Sequence, residues 1–514
     1  MRAPGRGLES LRRQFDALRR GADALRLGAT GWRSRPARRA RARRDRPPRA
    51  ADPQLSRSRS PSRGDHVKRI LVLGAGLVAR PLLRYLLRQP EFLLVVATSD
   101  LARAEHQMGE HPRGRAVRVD ASDSAALAPL VEEADLVVSL LPAELNPRVA
   151  RLAIRHRKPF VNTSYVSPEM RALDEEAGRA GVLLLCEMGL DPGIDHMSAV
   201  ATLRRLVHGG ARVVRFLSAC GGFPAQDANT NPWGYKFSWS PAGVFSAMLQ
   251  PARYRREGAE VAVPATEAVS RAWPLHLGEP GVFEVYPNRD SIPYAAAYGI
   301  PRVADFFRGT LRYPGWCAAM DAARRLGYFA SEAVDWPAGT TYRAFSARGV
   351  PGGDGPRLLE RAAELLDVPP DAQRLACLEW AGLFSDRQIP ERRASPLEVF
   401  SGRLFRLMGY RPGERDQVLL EHVIDVEYPD GAREQVRSRL VETGDPWGDS
   451  AMARTVSLTA AIGVRLILER GVQAVGLQIP VLREIYEPVL EELSERGIVL
   501  SERHAANVRG PFAA

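Results

Sequence analysis

One short stretch constrains this chain more than any other: an apolar run that breaks into glycines and then into a helical pattern. Arg69-Ile70-Leu71-Val72-Leu73 has strand length, Gly74-Ala75-Gly76-Leu77-Val78-Ala79 comes at once after it, and Pro81 to Arg88 reads as helix. This is G-x-G-x-x-A in a strand–turn–helix setting. Gly74 makes the tight turn, Gly76 lets backbone approach a pyrophosphate, and the small Ala79 lets the helix pack close to the strand. The free N–H groups at the helix start then face the phosphates. The bland alternative is an ordinary tight turn between a buried strand and a helix.

The strand–helix unit then repeats along the chain. A second strand, 92–97, ends in Thr98-Ser99-Asp100, where the adenosine ribose of a bound dinucleotide should lie. An acid there favours the 2′-hydroxyl of NAD, whereas Ser or Arg favours the 2′-phosphate of NADP; Ser99, Asp100 and Arg103 together leave the choice open. Further strands are expected at 116–119, with Asp120 at its end, at 134–141, ending in Leu141, and at 159–162 and 182–186. Helical patterns fill 124–132, 147–157 and 168–180. Alternating strands and helices imply a parallel sheet covered on both faces, an α/β fold whose ligands sit beyond the carboxyl ends of the strands. The residues to inspect are therefore Ser99, Asp120, Leu141, Thr163, Ser164, Tyr165 and Asp191.

The chain has 514 residues, which at ~150 per domain implies two to four domains. Its net charge of +12 is a property of one end. Residues 1–66 hold 19 of the 72 basic residues and 6 of the 60 acidic ones, which leaves 53 against 54 and a net −1 for the rest. The body thus carries no global charge that demands nucleic acid or an anionic membrane. In the basic segment, Leu8, Leu11, Phe15, Leu18, Ala22 and Leu25 recur at helical spacing, and 33–63, rich in Arg, Pro and Ser, is expected to stay disordered. A targeting presequence, a phosphate-binding arm and a segment without function remain open for it. No run of 18 or more apolar residues occurs, so no membrane-spanning helix is expected. Cys186, Cys220, Cys317 and Cys377 are far apart and form no C-x-x-C. Neither a disulfide scaffold nor a metal site is expected, and a reducing compartment such as the cytoplasm fits.

Several segments carry chemistry. Gly189-Leu190-Asp191-Pro192-Gly193-Ile194-Asp195-His196 is a constrained loop able to hold Asp191 over a nicotinamide; alternatively its aspartates cap the next helix. Cys220-Gly221-Gly222-Phe223-Pro224 and the aromatic run 231–240 read as a pocket wall or a β-meander core. Tyr286-Pro287-Asn288-Arg289-Asp290-Ser291 and Arg308-Gly309-Thr310-Leu311-Arg312-Tyr313 each place arginine in a polar loop. Arginine grips a carboxylate with two parallel hydrogen bonds, so the two loops suggest a substrate with several carboxylates; surface ion pairs are the alternative.

Taken in order, GAGLVARP, NTSYVSPEM, GLDPGIDH, CGGFPA, NPWGYKFSWSPAGV, YPNRDS, RGTLRY, LEWAGLFSD, RPGERDQVLL, SAMARTVSLTAAI and LQIPVLREIYEPVL resemble the saccharopine dehydrogenases of the glutamate-forming type, over residues 68–497. The resemblance implies a Rossmann domain at 67–190 completed by about 470–500. It also implies a mixed α+β substrate and dimerisation domain at 191–354 and 401–469, and a small helical insertion at 355–400. It places the cofactor on Gly74, Gly76, Leu77, Val78, Thr98, Ser99, Asp100, Asp120, Leu141, Thr163, Leu190 and Asp191. Saccharopine falls to Ser164, Tyr165, Asp191, Arg289, Thr310, Leu311 and Arg312, and the acid–base work to Asp191, Cys220 and Tyr165. The implied reaction interconverts saccharopine with glutamate and 2-aminoadipate 6-semialdehyde in a homodimer. NADP is the implied cofactor. Family members often carry Arg-Thr or Arg-Ser where this chain has Thr98-Ser99-Asp100, a departure that keeps NAD open. The alternatives are a carboxynorspermidine-type condensing enzyme and a cofactor-binding homologue without turnover.

Overall fold

The computed structural model of the chain describes residues 67–279 and 281–506. The helical pattern at 8–25 and the Arg-rich stretch at 33–63 lie outside the described residues. Six strands come first: β1 (Lys68–Leu73), β2 (Phe92–Thr98), β3 (Gly114–Arg118), β4 (Leu136–Ser139), β5 (Phe160–Asn162) and β6 (Leu183–Leu185). Eight come next: β7 (Arg212–Pro224), β8 (Ala252–Arg256), β9 (Ala259–Val263), β10 (Trp273–His276), β11 (Val282–Pro287), β12 (Asp305–Arg312), β13 (Val334–Asp335) and β14 (Arg393–Ala394). The last four are β15 (Asp416–Glu427), β16 (Arg433–Thr443), β17 (Gly476–Gln478) and β18 (Leu500–Ala506).

The first sheet is parallel, in the order β17-β6-β5-β4-β1-β2-β3. Strand order reverses between β1 and β4, and that switch point opens a crevice at the carboxyl ends, where Gly74 and Leu141 stand. Both faces are buried, which explains why β1 reads as an unbroken apolar run: Ile70 and Val72 enter one core cluster, Leu71 and Leu73 another. The second sheet is mixed, running β10-β11-β12-β7-β15-β16-β18, with β8 and β9 attached beside β12. Its centre pairs β12 parallel with β7, and β7 antiparallel with β15.

Helices Ile194–His208 and Ala451–Arg470 join the two sheets. The core cluster that contains Ile70 and Val72 also contains Met197 and Leu203, Ile462 and Leu466, and Phe216 and Ile424 from the second sheet. Helix Ala451–Arg470 corrects the membrane expectation in one respect. Among the described residues it is long and apolar enough to cross a bilayer, with a mean hydropathy of 1.5, although its apolar residues are interrupted by Thr, Ser and Gly. Two thirds of that span is buried inside the protein, where its small side chains permit close packing: a Cβ at Gly463 would lie 2.5 Å from the Met188 methyl.

A separate apolar cluster holds the helices between the sheets' loops. Trp316, Leu358, Leu375, Phe400 and Leu404 share it with Trp233, Tyr235 and Phe237 of the aromatic run. Helices Leu358–Leu366 and Gln373–Trp380 therefore pack with Trp316–Arg325 and Pro396–Leu407 in one body.

Candidate active site

The crevice begins at the glycine turn. The Gly74 N–H donates to the Ala97 carbonyl at 2.9 Å, and its φ of +96° lies in the region glycine favours. The Leu141 side chain lies 3.5 Å from where a Gly74 Cβ would stand, so Leu141 meets the turn directly. Gly76 and Leu77 are exposed, a Cβ at Gly76 would touch nothing within 4 Å, and the N–H groups of Gly76, Leu77 and Val78 take up no hydrogen bond among the described residues. An open backbone face with free donors at a helix start is what a pyrophosphate requires. From below, Gln107 Nε2 donates to the Gly76 carbonyl at 2.9 Å and the Ser457 hydroxyl donates to the Val78 carbonyl.

At the end of β2, Thr98 and Asp100 also have local partners. Asp100 accepts from the Arg103 N–H at 3.1 Å as N-cap of helix Leu101–Met108, and the Arg103 guanidinium approaches it to 3.4 Å. Thr98 Oγ1 accepts from the Asp100 N–H at 3.2 Å. Asp100 thus has local work, whereas Arg118, which no sequence motif singles out, reaches the Ser99 carbonyl at 2.8 Å from the end of β3. Asp120 is exposed and accepts from the Ser122 N–H at 2.8 Å, which holds its carboxyl below the usual range. Thr163 packs on Gly189, and Leu190 is buried.

The acid–base centre forms where the 189–193 loop meets β12. The Gly189 N–H donates to the Pro192 carbonyl at 2.9 Å and the Ile194 N–H to the Gly189 carbonyl at 3.0 Å. A Cβ at Gly193 would lie 2.1 Å from the Gly189 carbonyl oxygen at a φ of +147°, so only glycine closes this loop. The loop delivers Asp191, whose Oδ1 accepts from the Tyr165 hydroxyl and, at 2.9 Å, from Arg308 Nη2. The same Nη2 lies 3.0 Å from the Tyr165 oxygen and 2.6 Å from Asp195 Oδ2, and Asn288 Nδ2 donates to Tyr165 at 3.1 Å. The Arg289 guanidinium lies over the Tyr165 ring, 4.7 Å from its centroid. Asp195 is not the N-cap, which is Gly193. It lies in the first turn, accepts from the Gly193 N–H at 2.6 Å and pairs with Arg308. Ser164 stands next to this group, its N–H donating to Asn162 Oδ1 at 3.2 Å.

This geometry separates the two carboxyls electrostatically. Burial, then the neighbouring Asp195 charge, pushes Asp191 up to about 6, against the pull of Arg308 and the Tyr165 hydrogen bond. Burial acts on Asp195 too, but His196, Arg308 and the Gly193 N–H outweigh it and hold that carboxyl below its usual range. One acid is thus poised near neutrality beside another that stays ionised. Burial pushes the Tyr165 phenol and the Cys220 thiol well above their ordinary values, so both are neutral at neutral pH. Behind them His196 approaches Glu187 to 2.7 Å and shares a 2.6 Å hydrogen bond with the Tyr298 hydroxyl.

Residues 308–312 are not a loop but the end of β12, and strand alternation sorts them. Arg308, Thr310 and Arg312 share one face. Leu311 faces the other and packs with Leu217, Phe283 and Leu419, so its side chain points away from the site. Thr310 is the register partner of Cys220, and the Arg312 and Asp191 charges both act on the Cys220 thiol. Arg312 is 4% exposed and lies 5.1 Å from the Tyr235 ring centroid, 4.8 Å from Trp316 and 5.9 Å from Tyr286. Its Nη1 donates to the Leu311 carbonyl at 2.8 Å, its Nε has no partner, and it makes no ion pair among the described residues. A buried guanidinium held by aromatic faces and lacking a counter-ion is a receptor for an anionic group. Lys236 is not a second one, since it pairs with Glu414 at 2.6 Å. Arg308, Asn288 and Asp195 are the site residues the sequence did not assign; the period-two spacing of Arg308, Thr310 and Arg312 is the signal that finds the first.

Two family models match the chain: the saccharopine dehydrogenase NADP binding domain over residues 70–185 and the saccharopine dehydrogenase C-terminal domain over 189–498. The saccharopine dehydrogenase [NADP(+), L-glutamate-forming] of Schizosaccharomyces pombe is 34% identical over 442 residues, covering 84% of this chain and 98% of its own. The mitochondrial alpha-aminoadipic semialdehyde synthase of Bos taurus is 36% identical over 443 residues, but this chain spans only 47% of it. Among solved structures, apo saccharopine dehydrogenase (L-Glu forming) from Saccharomyces cerevisiae superposes with a TM-score of 0.75 at 34% identity, covering 85% of this chain and all of that one.

Proposed function

We propose, from the premise that this chain belongs to the saccharopine dehydrogenase family, that it is an NADP-dependent oxidoreductase interconverting saccharopine with glutamate and 2-aminoadipate 6-semialdehyde. Two observations carry the reading: an open glycine turn at the switch point of the first sheet, and the Asp191–Tyr165–Arg308 group with Arg312, a guanidinium without an ion pair among the described residues, both acting on Cys220.

NADP, held at Gly76 to Val78, would supply the hydride acceptor or donor. Loss of hydride and a proton leaves an imine, to which one water adds before the C–N bond breaks to release glutamate and the semialdehyde. The chain's own side chains handle the protons and hold the substrate. Saccharopine carries its amine as a cation, and only a neutral nitrogen can push electrons to release hydride. Asp191, ionised above about pH 6, takes that proton. Tyr165, held by Arg308 and Asn288, donates to Asp191 and fixes the position of its carboxylate. Arg312 and Arg289 grip carboxylates and fix the carbon to be oxidised. Cys220, a neutral thiol on the wall, can pass a proton only as a thiol. In the reverse direction Asp191 returns the proton to the new amine.

The test is incubation of the purified protein with saccharopine and NADP while reduced cofactor and free glutamate are followed together. Glutamate release in step with NADPH formation is expected, and its absence would overturn the reading. Arg312→Ala should raise the KM for saccharopine by about 10-fold or more, in line with ~1.5–3 kcal/mol for a hydrogen bond to a charged group, with NADP affinity unchanged.

The family resemblance supports a homodimer, which light scattering on the purified protein would test. Four free, buried cysteines support a reducing compartment such as the cytoplasm. The body's net −1 supports a small-molecule enzyme with no nucleic-acid or membrane partner.

A further inference from the structure

Cofactor choice in this chain poses a physical problem. The end of β2 offers no arginine, and Asp100, which carries the wrong sign for a phosphate, stands there instead. The structure resolves it from the neighbouring strand. Thr98 is the register partner of Arg118, so the last residue of β3 lies beside the last residue of β2. The Arg118 side chain turns back over the β2 end and donates from Nη1 to the Ser99 carbonyl at 2.8 Å. That bond anchors the guanidinium, and among the described residues its Nε and Nη2 have no partner and Arg118 makes no ion pair. Ser99 is exposed alongside, its hydroxyl without a hydrogen bond among the described residues.

Asp100 is offset on the spot. Its carboxylate accepts from the Arg103 N–H and lies 3.4 Å from the Arg103 guanidinium. What remains at the tip, among the described residues, is one guanidinium without an ion pair, a free hydroxyl and an acid paired with Arg103.

We infer that Arg118, aided by the Ser99 hydroxyl, is the residue that recognises the 2′-phosphate of NADP in this chain, in place of an arginine on β2. The inference rests on the NADP reading above and assigns the discrimination to one side chain. A planar guanidinium fits two phosphate oxygens at once, which an ammonium does not reproduce. Arg103 acts as a positioning residue that cancels Asp100.

The experiment uses the full chain and reads binding by titration calorimetry, with NADPH, NADH, 2′,5′-ADP and 5′-AMP as probes. Unaltered protein should bind NADPH and 2′,5′-ADP at least 10-fold more tightly than NADH and 5′-AMP. Arg118→Ala should lose most of that preference through weaker binding of the phosphorylated pair, with NADH and 5′-AMP unmoved. Arg118→Lys should recover only part of it. Asp100→Ser keeps a good N-cap while removing a negative charge, so it should tighten NADPH several-fold, a gain that general damage to the fold would not produce. If the unaltered protein shows no preference, the NADP reading itself fails. If it prefers NADPH and Arg118→Ala keeps the full ratio, the assignment to Arg118 is overturned.

Discussion

At the scale of single residues, the centre depends on Arg308. One nitrogen of its guanidinium lies within 3.0 Å of a phenol oxygen and two carboxylates. The two acids are four residues apart in sequence yet pushed in opposite directions, because burial and the Asp195 charge dominate at Asp191, whereas at Asp195 the pull of His196 and Arg308 and the Gly193 N–H outweigh burial. Asp191→Asn should lower kcat for saccharopine oxidation by about 10²–10⁴-fold. In the unaltered enzyme, kcat/KM should fall as pH drops through about 6, since the base must be ionised to act, and that limb should be missing from the residual activity of the variant. A pH profile retaining an unshifted limb in Asp191→Asn would assign it to another group. Asp191 and Tyr165 are legible in the sequence because they come just after strand ends. Arg308 is not, since its role depends on meeting residues 117 and 143 positions away.

At the scale of elements, two glycines show what close approach means. Gly221 on β7 faces β12 so tightly that a Cβ would lie 2.5 Å from the Leu311 carbonyl oxygen, which is backbone and cannot step aside. Gly76 meets nothing within 4 Å. Gly221→Ala should therefore cost about 1–3 kcal/mol of stability by forcing the strands apart, visible as a lower Tm, and should raise the saccharopine KM through displacement of the adjoining Arg312. Gly76→Ala should leave Tm unchanged and weaken NADPH binding. Equal Tm losses in the two variants would contradict this contrast. The turn at 74–79 is legible because its glycines, strand and helix are contiguous. The run 308–312 reads as a loop in sequence because its arginines look polar and exposed when alternation across a sheet is ignored; the sheet turns three of its residues toward the site and Leu311 into the core.

At the scale of the whole molecule, the two sheets are tied by shared helices, and buried polar groups at that seam make the assembly sensitive to acid. His422 on β15 is fully buried, its Nε2 sharing a 2.7 Å hydrogen bond with the Ser198 hydroxyl of helix Ile194–His208. Burial lowers its pKa from 6.5 to about 4. The unfolded chain thus binds the proton first, so the stability tied to a neutral His422 is complete above about pH 6.5 and is lost as pH falls toward 4. The shift corresponds to about 3 kcal/mol. His422→Gln should show a shallower fall of unfolding free energy between pH 6.5 and 4 than the unaltered protein, by denaturant titration at each pH. Parallel curves would remove His422 as the cause.

The same scale separates what local pattern tells from what it does not. Alternating strand and helix signals, the glycine turn and a run of ordered motifs point to a dinucleotide-binding α/β enzyme of this family, because each is written in contiguous residues with its own period. The return of the chain's last strands to both sheets, the pairing of Arg308 with two aspartates, the isolation of Arg312 among aromatic rings and the reach of Arg118 over the end of β2 are long-range encounters. Only the packing of sheets against shared helices brings such partners together, and burial then decides which charges are matched and which are left for a ligand.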